Sequence, residues 1–337
     1  MSDAVDLLVI GAGPVGLACA IEAARLRLTA RVIEKGSLVN SLIGYPIQME
    51  FFSTPDLIEI GGYPFPIKGY KPTREEAIEY YRGVTLREQL DVRLYERVDA
   101  VRGSRGDFTI ATSRGEHRAR AVVVATGFFD LPMRLNVPGE DLPKVTHYYR
   151  EPYPYVRQKV LVVGARNSAA KVALDCYRHG AEVSMVVRSA TLSEKVKYWI
   201  RPDLENRIKE GSIKAFFSTT IEEIRPTTVV LRTPEGAREI DNDWVLAMTG
   251  YVPDYRFLES LEIGIGDDVY RTPTFDPVTF ESTRPGVYLA GTVCGGLQTG
   301  RWFIENGRFH ARQIATHLAG VRAEPIAFDE VHWKTAE

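Results

Sequence analysis

The sequence predicts an α/β protein built from two similar nucleotide-binding units, and three observations lead to that prediction. An apolar run, a glycine-rich turn and an alanine-rich stretch follow one another at residues 7–27. The same design returns at residues 160–169. Each copy is followed by a second apolar run, at residues 30–33 and 183–187. Strand, tight turn, helix and parallel strand make a βαβ unit, so two copies predict two Rossmann-like domains.

Composition narrows the class of protein. The chain has 337 residues, 45% hydrophobic and 26% charged, which is typical of a globular protein with room for two domains. A net charge of −2 gives no reason to expect nucleic acid or an anionic membrane as partner. The chain shows no signal peptide and no apolar run near the ~20 residues that cross a bilayer, so we expect a cytoplasmic protein. Cys19, Cys176 and Cys294 have no metal-ligand spacing, and we expect neither a metal site nor a disulfide.

The first glycine turn has the spacing of a dinucleotide site. Gly11 permits the tight turn, Gly13 lets the backbone approach a pyrophosphate, and Gly16 lets helix and strand pack closely. The free N–H groups and positive dipole end of the following helix favour phosphate. Pro14 and Val15 complete this turn and belong to the predicted contact set.

An acidic residue and two distant segments predict FAD at this first turn. Glu34 lies about twenty residues beyond the glycines, where an acid binds ribose hydroxyls. The acid suits the unphosphorylated ribose of either FAD or NAD. Residues 125–127 and 286–291 decide between them, because they resemble the paired signatures of flavoproteins with two dinucleotide-binding domains. Such proteins take FAD at the first site and NAD(P)H at the second. The predicted contacts here are Ala125, Thr126, Gly127, Gly291 and Thr292.

The second glycine turn is a degenerate copy, and it predicts NADPH. Arg166 stands where the second glycine is usual. The next strand ends at Arg188, where the first unit has Glu34. A guanidinium can pair bidentately with a 2′-phosphate that a carboxylate would repel. The predicted contacts are Gly164, Ala165, Arg166, Asn167, Ser168, Ala169, Arg188, Lys197 and Gly250.

Two further apolar strands that end in small-residue turns set the domain boundaries. Residues 122–127 form the first and residues 245–250 echo it. We therefore expect an FAD-binding domain from residues 1–126 and 250–337, with residues 127–249 inserted as an NADPH-binding domain. The expected architecture is the FAD/NAD(P)-binding fold with three-layer ββα elements.

The layout resembles the low-molecular-weight thioredoxin reductase family over nearly the whole chain, and most closely its bacillithiol disulfide reductase branch. The matching segments are Glu34–Gly36, Tyr45–Pro46, Phe51–Ser53, Leu142–Val145, His147–Tyr148, Asn167–Ala169, Trp199, Gly250–Tyr255 and Phe303–His310. The resemblance implies a homodimer in which hydride passes from NADPH to FAD and then to a small disulfide or another acceptor. It also implies cofactor contacts from Lys35, Gln48, Phe52, Val98, Phe303 and Ile304.

Three departures from the family pattern bear on the acceptor. Residues 145–155, where thioredoxin reductases hold a C-x-x-C pair, contain no cysteine. Val15 replaces the active-site cysteine that is usual in the bacillithiol branch, and a valine cannot form a mixed disulfide. Thr292 replaces the aspartate that usually binds the ribityl chain.

The catalytic group stays open at this level. A histidine side chain ordinarily titrates near neutral pH, so His147 is one candidate, and Cys294 is another, although packing is the commoner role for both types of residue. The acceptor could be a small disulfide, a ferredoxin or flavodoxin, a quinone or oxygen. A flavin monooxygenase-like enzyme and a non-catalytic flavin redox sensor are alternatives.

Overall fold

The computed structural model describes residues 4–322, which form two compact units. Within the described range, the first contains residues 4–44, 48–131 and 251–322. The second contains residues 45–47 and 132–250. The main crossings therefore follow residues 131 and 250, whereas the sequence led us to expect residues 126 and 249.

The elements alternate between strands and helices. The strands are β1 (Val5–Ile10), β2 (Ala30–Ile33), β3 (Asp91–Arg93), β4 (Val98–Ser104), β5 (Asp107–Thr112), β6 (Gly115–Val124), β7 (Leu131–Pro132), β8 (Val145–Thr146), β9 (Lys159–Val163), β10 (Glu182–Val186), β11 (Lys214–Phe216), β12 (Thr220–Ile224), β13 (Thr228–Thr233), β14 (Gly236–Asp241), β15 (Trp244–Ala247), β16 (Tyr251–Val252) and β17 (Val287–Leu289). The helices are α1 (Pro14–Arg25), α2 (Asn40–Gly44), α3 (Pro55–Ile58), α4 (Arg74–Arg87), α5 (Asn167–Arg178), α6 (Arg201–Lys209), α7 (Tyr255–Ser260) and α8 (Ile304–Leu318). Short 3-10 helices span Tyr153–Tyr155 and Gly291–Gly295.

The first unit is organised by a mixed sheet in the order β3-β2-β1-β6-β5-β4, with β17 also paired to β6. Strands β1, β2, β3 and β17 run parallel to their neighbours, whereas β4 and β5 extend β6 as an antiparallel meander. Leu8 and Val122 face each other across the β1–β6 ladder, and both are fully buried. A parallel strand covered on both faces needs such a continuous apolar run.

The helices of the first unit begin at readable signals. Gly13 is the N-cap of α1 and Pro14 takes the first position, where a missing N–H costs nothing. Thr73 and Glu76 form a capping box at the start of α4. Helix α1 packs against α8, so the glycine turn has a helix from the far end of the chain beside it.

The second unit repeats the parallel pattern with a smaller sheet in the order β11-β10-β9-β15-β8. Strands β12, β13 and β14 form a separate antiparallel sheet. One face of β9 and β10 packs with α5, where Val162, Met185 and Ala173 are buried. The other face packs against the antiparallel strands through residues such as Leu161 and Leu231. Sheet, sheet and helix make the expected three layers.

The predicted α/β class and the two βαβ repeats are confirmed. β1–α1–β2 and β9–α5–β10 are the two copies, each with parallel strands. Among residues 4–322, no helix combines the length and the hydrophobicity needed to span a bilayer.

Candidate functional site

The first glycine turn is shaped by close backbone approaches. Gly11 has φ +111°, and a Cβ there would lie 2.6 Å from the carbonyl oxygen of Ala125. A Cβ at Gly16 would overlap the carbonyl oxygen of Gly11. Gly13 differs, because no heavy atom lies within 4 Å of a Cβ built there. Gly11 and Gly16 therefore permit close packing, whereas Gly13 leaves open space at the start of α1, which suits an approaching pyrophosphate.

Three distant segments meet beside this turn. A Cβ at Gly127 would lie 3.3 Å from the hydroxyl oxygen of Thr292, so the ends of β6 and β17 are neighbours. A Cβ at Gly291 would lie 3.2 Å from the Cβ of Val15, and one at Gly307 would lie 3.2 Å from the Cα of Gly291. The structure thus brings the predicted FAD contacts of three segments into one place. Gly307, on α8, was not among those contacts.

Glu34 lies at the predicted position beside the turn. One carboxylate oxygen accepts a hydrogen bond from the Ala12 amide at 2.9 Å, and the other accepts one from the Gly36 amide at 2.8 Å. Burial raises the pKa of Glu34, and the two hydrogen bonds from backbone amides oppose that rise. These two hydrogen bonds leave further lone pairs on the carboxylate, which can accept hydrogen bonds from ribose hydroxyls.

Three other predicted FAD contacts, Lys35, Val98 and Gln48, lie in different surroundings. The Lys35 ammonium pairs with Asp130 at 2.8 Å. The Glu96 amide donates to the Glu34 carbonyl at 2.8 Å, which brings the start of β4, and so Val98, toward the acid. Gln48 is exposed, and its side chain makes no hydrogen bond within residues 4–322.

Two exposed aromatic residues flank the start of α8. The Ser53 hydroxyl donates to a Glu305 carboxylate oxygen at 2.9 Å. This bond ties the segment that carries Phe52 to the helix that begins after Phe303 at Ile304. Phe52 and Phe303 are 39% and 42% exposed, so they are available to a ligand.

His310 is a residue of this site that the sequence pattern left on an ordinary helix face. It is completely buried on α8, and its Nδ1 accepts a hydrogen bond from the Gly291 amide at 3.1 Å. Burial lowers the pKa of His310 to about 3, so the imidazole is neutral at physiological pH. The only sequence signal for His310 was its position at the end of the matching segment Phe303–His310.

The second glycine turn repeats the backbone of the first. Gly164 has φ +136°, and a Cβ there would lie 2.6 Å from the carbonyl oxygen of Met248. Ala169 takes the place of the third glycine and is fully buried against this turn. Gly250 has φ +97°, with open space where its Cβ would be.

Two arginines border this second turn. Arg166 is the N-cap of α5, and both it and Arg188 are exposed, with no ion pair to any residue in the described range 4–322. The Gly164 amide donates to Val186, as the Gly11 amide donates to Ile33. This bond aligns Val187 with Glu34, so Arg188 lies one residue beyond the position that the sequence suggested. An apolar residue fills the acid's place, and unneutralised guanidinium groups can bind a phosphate nearby.

The side-chain amide of Asn167 is hydrogen-bonded to the loop that contains Lys195 and Lys197. Its Nδ2 donates to the carbonyl of Lys195 at 2.9 Å, and its Oδ1 accepts from the amide of Lys197 at 2.9 Å. The Lys197 ammonium lies 5.5 Å from the ring centroid of Trp199. Ser168 is exposed in the first turn of α5. The predicted contact residue Asn167 therefore holds the loop that contains Lys195 and Lys197.

His147 is engaged within the second unit. Its Nε2 lies 3.1 Å from a Glu140 carboxylate oxygen, and that carboxylate also accepts the amides of Leu135 and Asn136 at 2.7 and 2.8 Å. Burial lowers the pKa of His147, while the charge of Glu140 opposes the change. These contacts tie His147 to the loop before β8, which is a structural role.

None of the three cysteines has the surroundings of a redox thiol. Cys19 and Cys294 are each 1% exposed, and Cys176 is fully buried. Burial raises the pKa of Cys176 to about 12, and it raises the pKa of Cys19 and of Cys294 as well. A thiol reacts as its thiolate, so these residues are unreactive near neutral pH. Cys294 therefore lacks the properties that made it a candidate.

The geometry of the two turns fits two dinucleotides. The first combines open space at Gly13 with a carboxylate at Glu34, which suits the pyrophosphate and the unphosphorylated ribose of a dinucleotide such as FAD. The second combines a βαβ turn at Gly164 with the guanidinium groups of Arg166 and Arg188, as a 2′-phosphorylated coenzyme requires. Within residues 4–322, no group of three His, Cys, Asp or Glu side chains gathers as metal ligands.

Comparison with known proteins gives a consistent result. The family model described as pyridine nucleotide-disulphide oxidoreductase matches residues 8–291. The chain is 40% identical over 316 residues to the bacilliredoxin reductase Bdr of Bacillus subtilis, with 93% of this chain and 97% of that protein covered. It is 25% identical over 305 residues to a ferredoxin–NADP reductase of Ignicoccus hospitalis, with 86% and 90% covered.

A solved structure is similar over almost its whole length. The bacillithiol disulfide reductase Bdr from Bacillus cereus superposes with a TM-score of 0.92 at 36% identity, covering 94% of this chain and 99% of that one. This similarity confirms the fold expected from the sequence.

Proposed function

The chain belongs to the pyridine nucleotide-disulphide oxidoreductase family, and from this premise we propose that it reduces a low-molecular-weight disulfide such as bacillithiol disulfide. It is an oxidoreductase that uses FAD and NADPH. The reaction consumes NADPH, a proton and the disulfide, and it yields NADP⁺ and two thiols. When bound, FAD accepts the hydride of NADPH and supplies the electrons that cleave the S–S bond.

The observation that carries this proposal is the pair of nucleotide turns in a chain 40% identical to a bacilliredoxin reductase along 93% of its length. In the proposal, Gly13 and the start of α1 receive the flavin pyrophosphate. Glu34 orients the ribose through its remaining lone pairs. Arg166 and Arg188 neutralise the 2′-phosphate of NADPH. These residues bind and orient, and a hydride step asks for no further acid or base from the chain.

A second candidate function follows from the missing thiol. Val15 stands at the position of the usual active-site cysteine, and all three cysteines are buried with raised pKa values. An acceptor that needs no mixed disulfide, such as a ferredoxin or flavodoxin, avoids this difficulty. The similarity to a ferredoxin–NADP reductase agrees with that alternative.

The assembly and location are part of the proposal. The resemblance to thioredoxin reductase-like proteins supports a homodimer that works in the cytoplasm. Light scattering on the purified protein should give twice the chain mass. Fractionation of cells should place it with cytoplasmic markers, and a monomer or a membrane pellet would contradict these points.

Anaerobic kinetics tests the proposed reaction. NADPH is mixed with the purified protein in a stopped-flow instrument under argon, and we expect the visible flavin absorbance to bleach rapidly. Oxidised bacillithiol is then added, and we expect two thiols for each NADPH consumed. Unchanged colour would contradict the enzyme itself. Bleaching without thiol release, but with reoxidation by ferredoxin or flavodoxin, would establish the second candidate.

The Val15→Cys variant separates the two acceptors further. Valine and cysteine are of similar size, so the variant should fold with its FAD. If a thiol at this position limits disulfide reduction, the variant should gain that activity and leave ferredoxin reduction unchanged. Val15→Ser is the matched control, because serine has nearly the shape of cysteine and carries no sulfur.

A further inference from the structure

The last helix of the chain holds a buried imidazole next to the first nucleotide turn. We propose that His310 is a positioning residue of the FAD site, which fixes the Gly291–Thr292 turn by accepting the amide hydrogen of Gly291 at its Nδ1. The inference rests on the FAD site at the first glycine motif. It is independent of which acceptor the enzyme reduces.

The hydrogen bond defines the tautomer of the ring. A backbone amide can only donate, so Nδ1 of His310, 3.1 Å from the Gly291 nitrogen, carries no proton. The neutral ring therefore keeps its proton on Nε2. The Cys294 sulfur lies 3.8 Å from the same Nδ1 and belongs to the 3-10 helix that begins at Gly291. The ring thus contacts both the first residue and a later residue of this helix.

Aromatic neighbours hold the ring in this orientation. Phe280 stacks on it with a centroid distance of 4.0 Å and an interplanar angle of 20°. Trp302 meets it edge-on at 4.5 Å and 85°. A ring packed in this way presents its acceptor to Gly291 without first paying rotamer entropy. His310 is fully buried, so water does not compete for the amide.

The anchored turn is one that needs support. Gly291 has φ +78°, a left-handed conformation, and a Cβ there would lie 3.2 Å from the Cβ of Val15 in the first turn. Gly307, one turn earlier on α8 than His310, allows this approach because it has no Cβ. Helix α8 therefore makes room for the turn with a glycine and holds it with a histidine. The hydroxyl of Thr292 follows at once and lies near Gly127.

The affinity of the apoprotein for FAD tests this role. His310→Phe keeps an aromatic ring and loses the acceptor, which leaves a buried amide unpaired, so we expect FAD to bind about tenfold to a hundredfold more weakly. His310→Asn offers an oxygen near the position of Nδ1 and should recover most of the affinity. His317→Phe is the matched control, because it lies on the same helix and bonds the Tyr288 hydroxyl instead.

Each readout can overturn the proposal. FAD binding by His310→Phe at the wild-type affinity would do so, and so would equal losses in the phenylalanine and asparagine variants, since ring packing alone would then matter. Hydrogen exchange provides a measurement that does not depend on the phenylalanine variant. The Gly291 amide should be protected from exchange in the wild-type protein, because His310 accepts its hydrogen. Exchange of that amide in the wild-type protein at the rate of an exposed amide would also refute the role. The KM for NADPH should be unchanged in every variant.

Discussion

The two glycine turns of this chain share a backbone and differ in their surroundings. In the first, the Gly11 amide donates to the Ile33 carbonyl at 2.8 Å. In the second, the Gly164 amide donates to the Val186 carbonyl at 3.1 Å. Both glycines have positive φ, and a Cβ at either would lie 2.6 Å from the carbonyl oxygen of the residue that follows a neighbouring strand. The turn geometry is therefore common to both units and cannot explain a difference in ligand.

The difference lies in what covers each turn. In the first unit Val15 is 8% exposed beneath Gly291 and Gly307. At the matching place in the second unit Ser168 is exposed, and Arg166 stands where the first unit has an open glycine. The first turn is enclosed by segments from the end of the chain, which suits a cofactor that stays bound. The second is open and carries cationic groups, which suits a coenzyme that exchanges in every turnover.

The largest effect should come from adding one methyl group to the enclosed turn. In Gly16→Ala the new Cβ would overlap the Gly11 carbonyl, and we expect a loss of about 3 kcal/mol or more in the free energy of unfolding, with loss of FAD. Ala169→Gly is the matched change in the second unit, and it should cost about 1 kcal/mol from helix propensity and keep FAD. Chemical denaturation and the ratio of flavin to protein absorbance measure both. If both variants retained FAD equally, the contrast between the turns would be lost.

Acid should weaken the enclosed turn through His310. Its pKa falls from the ordinary 6.5 to about 3 on folding, so below pH 6.5 the unfolded chain binds a proton that the folded chain does not. Above pH 6.5, His310 therefore does not change the free energy of unfolding. Below pH 6.5, its contribution should lower that free energy by up to ~1.4 kcal/mol for each pH unit. His310→Asn should lack this part of the slope. Denaturation curves of both proteins between pH 7 and 5 provide the check, and parallel slopes would contradict the expectation.

The open turn should respond to its charge. We expect Arg188→Ala to raise the KM for NADPH about tenfold to a hundredfold, because a charged hydrogen bond to phosphate contributes ~1.5–3 kcal/mol. The KM for NADH and the FAD content should stay near wild type. Arg178→Ala is the control, since that residue lies at the far end of α5 and pairs with Asp203. Equal effects on NADPH and NADH would remove the argument for a 2′-phosphate site.

The sequence predicted the two turns well because their geometry is local. Each motif and its flanking strands lie within a short stretch, and the α/β fold with two repeats is confirmed. The roles of His310 and Gly307 were not predicted, because they depend on how α8 packs against Gly291 and against Val15 of the first glycine turn. The predicted alignment of Arg188 with Glu34 was wrong by one residue, because it is fixed by the hydrogen bond from the Gly164 amide to Val186, which the sequence does not show. Contact roles for single residues, such as Gln48, stay predictions.

The smallest expected effect concerns the loop beside the open turn. Asn167 is half-buried and holds this loop by two hydrogen bonds to the backbone of Lys195 and Lys197, each 2.9 Å long. Its replacement by alanine should free the loop, and we expect the KM for NADPH to rise about fivefold, in line with ~1 kcal/mol for a hydrogen bond. Thr191→Ala changes an exposed residue four positions before Lys195 that is not a predicted contact, and it should leave KM within about twofold of wild type, since an exposed surface substitution usually changes little. Steady-state kinetics with NADPH and NADH would separate the cases. A larger effect from Asn167→Ala than from Arg188→Ala would mean that loop order, rather than charge, governs the second turn, and the comparison between the two turns would have to be drawn on packing alone.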